Sequence, residues 1–294
     1  MLRAILIWFA AATLVSAQAP SALFLLRSAR GSPGDLELAG DLAGQPAGAT
    51  RYLRYVDILS LAQESFTVND DANLPGGTQV SGVSLATMAQ LLSAKPDEAL
   101  VVAICDDQYR TSYPQAYLSA HHPVLALRIN GKQRSEWPLS ADGESLGPYL
   151  ITHPFFKPAF RVLSHDDEPQ IPYGVVRLEF HSESAVLGAI RPSRKWAADS
   201  AVAQGYTIAQ QDCFRCHNMG EYGGTKAGRS WPQLARIAHD DETRFRQIIR
   251  NPTLVNPAAK MPAHSDYNDA TLAALAAYFS TFADSDRDQR RPPK

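Results

Sequence analysis

The chain is predicted to be multidomain, with an α+β unit followed by an all-α unit. Three observations predict this division. Apolar runs of strand length, bounded by turn signals, recur between residues 36 and 180. From Trp196 onward the apolar residues recur at helical spacing instead. Between the two patterns lies Arg191-Pro192-Ser193-Arg194-Lys195, polar, charged and proline-containing, which reads as a linker over residues 191–197. A length of 294 residues agrees with about two domains.

The first segment is a targeting signal. Arg3 gives a short positive region, Ala4 to Val15 is apolar, and Val15-Ser16-Ala17 is a small-residue cleavage site before Gln18. This predicts a secretory signal peptide over residues 1–17, too short for a membrane span. An uncleaved anchor is the alternative. The mature chain is then expected in the periplasm or otherwise exported, without a membrane span, any membrane association being peripheral. Residues 18–50 form a low-complexity lead-in with one strand, Leu36-Glu37-Leu38.

Residues 51–190 carry the mixed pattern. Ser65 to Val68 reads as a short strand, and Ser84 to Ser93 as a helix with Leu85, Met88 and Leu92 on one face. Ala99 to Ile104 is continuously apolar, hence a buried strand. Val124 to Ile129 is another, closed by the turn signal Asn130-Gly131. Val175 to Phe180 alternates and ends the unit. A metal site is the competing reading of His121-His122 and Asp166-Asp167-Glu168, but nothing spaces them as ligands on one face, so they read as solvated loops.

Residues 198–283 are helical. Val202, Tyr206 and Ala209 share one helix face, and Asp241 to Arg250 is a second helix stopped by Asn251-Pro252. Leu272, Leu275, Phe279 and Phe282 stripe a third, with Asn268 as N-cap. Residues 284–294, charged and proline-ended, are expected to be a disordered tail. A net charge of −2 shows no basic excess, so nucleic acid is not an expected partner.

The chemistry centres on Cys213-Phe214-Arg215-Cys216-His217. Cys-x-x-Cys-His is the attachment signature of a c-type haem. One tight turn presents two thiols to the vinyl groups of the porphyrin, and the adjacent imidazole binds the iron as proximal ligand. A redox Cys-x-x-Cys or half a zinc site is the competing reading. The chain has 3 cysteines, which leaves Cys105 alone. That excludes a disulfide framework and argues against a four-ligand zinc site. Cys105 ends an apolar run and reads as a buried structural thiol.

Around this motif, Ala198 to Phe282 resembles class I cytochrome c. The resemblance implies one covalent haem c, single-electron transfer and protein redox partners. It makes Met261, followed by Pro262, the distal ligand, with His264 as rival. It pairs Gly205 in the first helix with Tyr278 in the last, although Ala209 stands where the family often has an aromatic. In Trp231-Pro232-Gln233-Leu234 it makes Pro232 the carbonyl that accepts the outer N–H of His217.

A second resemblance lies in Asn73-Leu74-Pro75-Gly76-Gly77, Gly82-Val83-Ser84-Leu85 and Leu91-Leu92, with Cys105 to Tyr109 and Arg128 to Gly131 following. This order is similar to the molybdopterin-binding domain of sulfite-oxidase-type oxidoreductases, over about Leu36 to Phe180. That family binds molybdenum through a cysteine three residues before the asparagine. Here Asp70 stands in that place, and a hard carboxylate does not replace a soft thiolate. The resemblance therefore implies a relative without molybdopterin.

The leading expectation is an exported monohaem c-type cytochrome, an electron-transfer protein more than a self-contained enzyme, with the N-terminal unit as docking or scaffold module. No catalytic residue is assigned. A cytochrome-fused molybdopterin oxidoreductase and a redox sensor or assembly subunit of a respiratory complex are the alternatives.

Overall fold

The computed structural model describes residues 26–140, 143–192 and 194–283. The expected signal peptide and the expected disordered tail lie outside the described residues.

The strands of the first unit are β1 (Leu36–Gly40), β2 (Arg51–Leu53), β3 (Glu64–Val68), β4 (Thr78–Ser84), β5 (Ala99–Cys105), β6 (Arg110–Tyr113), β7 (Val124–Ile129), β8 (Ile151–Thr152), β9 (Arg161–Val162), β10 (His165–Asp166) and β11 (Val175–Ser182). Its helices are α1 (Tyr55–Leu59), α2 (Leu85–Leu92), α3 (Gln115–His121) and α4 (Glu183–Ala189). One sheet runs β2-β1-β11-β5-β6, antiparallel except for the parallel pair β1 and β11. A second runs β3-β4-β7-β8 and is antiparallel throughout, and β9 and β10 form a separate antiparallel pair. The mixed α/β reading of this region therefore holds. Side chains from both sheets and from α2 and α3 build one apolar core, including Leu36, Val83, Met88, Val101, Leu118, Leu127 and Phe180.

Helix α2 shows how local sequence sets an element. The Ser84 side chain accepts the Thr87 amide and caps the first turn, and Leu85, Met88, Ala89 and Leu92 are its buried residues. Strand β5 shows the reverse dependence. All seven of its residues are buried. Val101, Ala103 and Cys105 enter the core of the first unit, whereas Leu100, Val102 and Ile104 point to the opposite face and enter a second core. A strand covered on both faces has no use for polar alternation, which is why its sequence is continuously apolar.

That second core belongs mostly to the helical unit, made of α5 (Ala201–Asp212), α6 (Trp231–Asp240), α7 (Glu242–Arg250), α8 (Pro252–Val255) and α9 (Asp269–Ser280), with a small hairpin of β12 (Asn218–Met219) and β13 (Tyr222–Gly223). Val202, Ile208, Phe214, Trp231, Phe245, Leu275 and Phe279 pack together with Val186, Leu187 and Ile190 from α4 and its end. Helices α5 and α9 cross in close contact. At the crossing a Cβ on Gly205 would overlap the Ala274 carbonyl and the Tyr278 Cβ, so only glycine fits there. Ala209 is fully buried in the same helix.

Helix α6 was not foreseen. Its Pro232 reads as a loop residue, yet it sits in the first turn, where proline is tolerated because that N–H has no helical partner. The available signal was Ser230 followed by Gln233, whose Oε1 accepts the Ser230 amide at 2.7 Å.

Candidate haem site

The turn of Cys213 to His217 grows out of the end of α5. The amides of Cys213 and Phe214 both bond to the Ala209 carbonyl at 3.0 Å, and the His217 amide bonds to the Cys213 carbonyl at 2.9 Å. Three successive carbonyls of the turn are then taken up. Phe214 O accepts from Gly224 N, Arg215 O from Arg110 N, and Cys216 O from Ala227 N, at 2.9, 3.1 and 3.0 Å. The middle donor belongs to β6 of the N-terminal unit. Gly224 passes so close that a Cβ on it would overlap the Arg215 carbonyl.

Cys213 and Cys216 are half-buried and form no disulfide among the described residues. Burial raises the thiol pKa of both. His217 is buried, and burial lowers its pKa, favouring the neutral ring. Its Nδ1 lies 2.6 Å from the Arg229 carbonyl, so Nδ1 carries the proton and Nε2 is left with its lone pair. The expected acceptor was Pro232, and it is not the partner. Pro232 lies in the first turn of α6, where a carbonyl points along the helix axis toward the amide four residues on. Arg229 lies just before the Ser230 N-cap, in the loop that faces the imidazole.

Met261 lies between α8 and α9, half-buried against the same apolar cluster that Cys213 borders. The rival His264 stacks its ring on Tyr267, with centroids 4.7 Å apart and planes at 25°. Two cysteine sulfurs, an imidazole with its outer nitrogen engaged, and a methionine bordering the same core form a donor set whose chemistry fits haem c.

Beside the turn, sequence reading missed a buried polar network. His121 Nε2 meets Asp167 Oδ2 at 2.7 Å with both side chains buried, so these residues are not in solvated loops as expected. Mutual pairing makes their burial possible. They stand 46 residues apart in the chain, and no local spacing could reveal the pair. Asp167 also accepts from Gln211 Nε2 at 2.6 Å, and Gln211 Oε1 lies 2.8 Å from His165 Nε2. Tyr267 donates its hydroxyl to Asp212 and contacts His165 Nδ1. Cys105 is 3 % exposed, and burial pushes its thiol up to about 12, in keeping with a structural thiol.

Residues 200–279 match the family model described as cytochrome C oxidase, cbb3-type, subunit III. They are a cytochrome c domain. No curated protein matches the chain. Haem c, a haem-based electron-transfer role and redox partners come with that domain. Among the described residues no helix is long and apolar enough to cross a membrane.

Proposed function

We propose that this chain is an exported monohaem c-type cytochrome, an electron carrier whose N-terminal unit serves as docking or scaffold module. Cys213 and Cys216 would hold a porphyrin through thioethers, and His217 and Met261 would be the two protein ligands of its iron. Haem iron supplies one-electron exchange when bound. The chain's own residues do the rest. Arg229 O keeps the proton on His217 Nδ1 and so fixes ring plane and tautomer. As an iron ligand, the Met261 thioether would favour the ferrous state and leave no position for an external ligand. The Phe214, Trp231 and Phe279 side chains keep the neighbouring core dry.

The turn carries this reading: two cysteines three residues apart, followed by an imidazole whose Nδ1 is held by the Arg229 carbonyl at 2.6 Å. Pyridine haemochrome spectroscopy of the purified chain should show a c-type haem that acid–acetone does not extract, with one iron per chain. Extractable haem, or none, would overturn the assignment. Met261→Ala should open the sixth position, remove the methionine–iron charge-transfer band and lower the potential. An unchanged spectrum would hand the ligand role to His264.

The N-terminal unit is read as a relative of sulfite-oxidase-type domains that works without molybdopterin. Asp70 stands where that family has its cysteine, and its Oδ2 accepts the Phe156 amide at 2.9 Å. The same preparation should contain iron without stoichiometric molybdenum. The export reading rests on residues 1–17, and the mature protein should begin at Gln18.

A further inference from the structure

Arg215 lies between the two cysteines, and its side chain runs into the contact between the two units. Its Nη1 donates to Tyr109 Oη at 3.1 Å, and its Nε to the Gln211 carbonyl at 2.8 Å. Its Nη2 donates to Asp212 Oδ1 at 2.5 Å and to Glu168 Oε2 at 3.3 Å. Tyr109 and Glu168 come from the N-terminal unit, and Gln211 and Asp212 from α5. The guanidinium is 20 % exposed and the Asp212 carboxylate 5 %. Ligand atoms of His165, Glu168 and Asp212 lie within 4.8 Å of one another, a spacing that would suit a metal ion. Arg215 already bonds both carboxylates, so the chain supplies the cation itself.

A charge set held this way has two effects. It locks the turn that presents the thiols and imidazole. It also acts on that turn through protein, where charges are felt more strongly than across water. We infer that Arg215, Asp212 and Glu168 are positioning residues for electron transfer, setting the reduction potential of iron bound at His217, with Glu168 contributed by the N-terminal unit. This rests on the haem attachment proposed above.

The signs are opposed. A fixed positive charge favours the reduced iron, so losing it lowers the potential. Losing the Arg215 charge also leaves Asp212 and Glu168 uncompensated, in the same direction. Losing the Glu168 charge raises the potential. Loosened packing admits water and moves the potential down for either change, so it cannot mimic opposite shifts.

The test uses the full chain at pH 8. Haemochrome spectra establish covalent haem first, and optical redox titration then gives the potential of each variant. Glu168→Gln should shift it up, Arg215→Gln down, and Arg215→Lys should stay nearer the unmodified protein than Arg215→Gln. Tyr109→Phe, which removes a hydrogen bond and no charge, should move it less than Arg215→Gln. The inference is overturned if haem is bound and Glu168→Gln leaves the potential unchanged or lowers it, or if Tyr109→Phe matches Arg215→Gln. If Arg215→Gln does not fold, Glu168→Gln decides alone, because its carboxylate is 41 % exposed and the change is tolerable. An unmodified protein without covalent haem would instead overturn the attachment reading and, with it, the inference.

Discussion

His153 shows what one buried side chain imposes on the whole protein. It is 2 % exposed, its Nε2 meets Tyr117 Oη at 3.0 Å, and its Nδ1 has no partner among the described residues. Burial lowers its pKa to about 3, and the nearby His121 adds to the shift. In the unfolded chain the same ring titrates near 6.5. Between those values the unfolded state binds a proton that the folded state refuses. Stability from this residue is therefore full above about pH 6.5 and drains away as pH falls toward 3. The slope is at most ~1.4 kcal/mol per pH unit. Denaturant melts at pH 7.5 and 4.5 should show a larger loss for the unmodified protein than for His153→Gln, by up to ~2–3 kcal/mol. Equal losses would show that His153 takes up its proton as readily in the fold as in the unfolded chain. Little of this was legible in sequence, because burial of a lone histidine follows from tertiary packing. The turn from Cys213 to His217 was legible, since its chemistry needs a fixed local spacing. The His217 acceptor was not, because Arg229 reaches it only through the path of the loop before α6.

At the level of elements, local signals and long-range contacts part company. Strands β5, β7 and β11 and helices α2, α7 and α9 stand close to where hydrophobic spacing and caps put them. Asn268 accepts the Thr271 amide at 2.9 Å, and Asp241 the Arg244 amide at 3.0 Å, as N-caps should. Helix α6 was hidden by a proline that its first turn accommodates. The α5–α9 crossing allows a direct test of competing effects. Gly205→Ala gains about 1 kcal/mol of helix propensity. It also drives a methyl into the backbone carbonyl of Ala274, which cannot rotate aside. Overpacking of this kind costs ~1–3 kcal/mol or more, so the net change should be destabilising. A thermal melt should show a lowered midpoint; a raised one would mean that the helices part at little cost.

For the whole molecule, the division into an α+β and a helical region was readable from the change in apolar spacing. The core they share was not. The run Ala99 to Ile104 announces burial but not by what, and its second cover is the cytochrome c domain itself. Leu100 is fully buried in that shared core. Leu100→Ala should cost ~2–5 kcal/mol. Because the strand belongs to one unit and the side chain to the other's core, both should be weakened together. Far-ultraviolet circular dichroism and haem absorbance should then show one coincident denaturation, shifted to lower denaturant. Two separated transitions would show that the halves unfold independently.

The floor that β5 lays under the cytochrome c domain bears on how electrons can travel. A haem module on a loose leash can commute between a donor and an acceptor held far apart. Here Leu100, Val102 and Ile104 are seated beneath the module, and Arg110 grips its haem turn from the side. Such a module stays moored, and delivery depends on partners coming alongside it in turn.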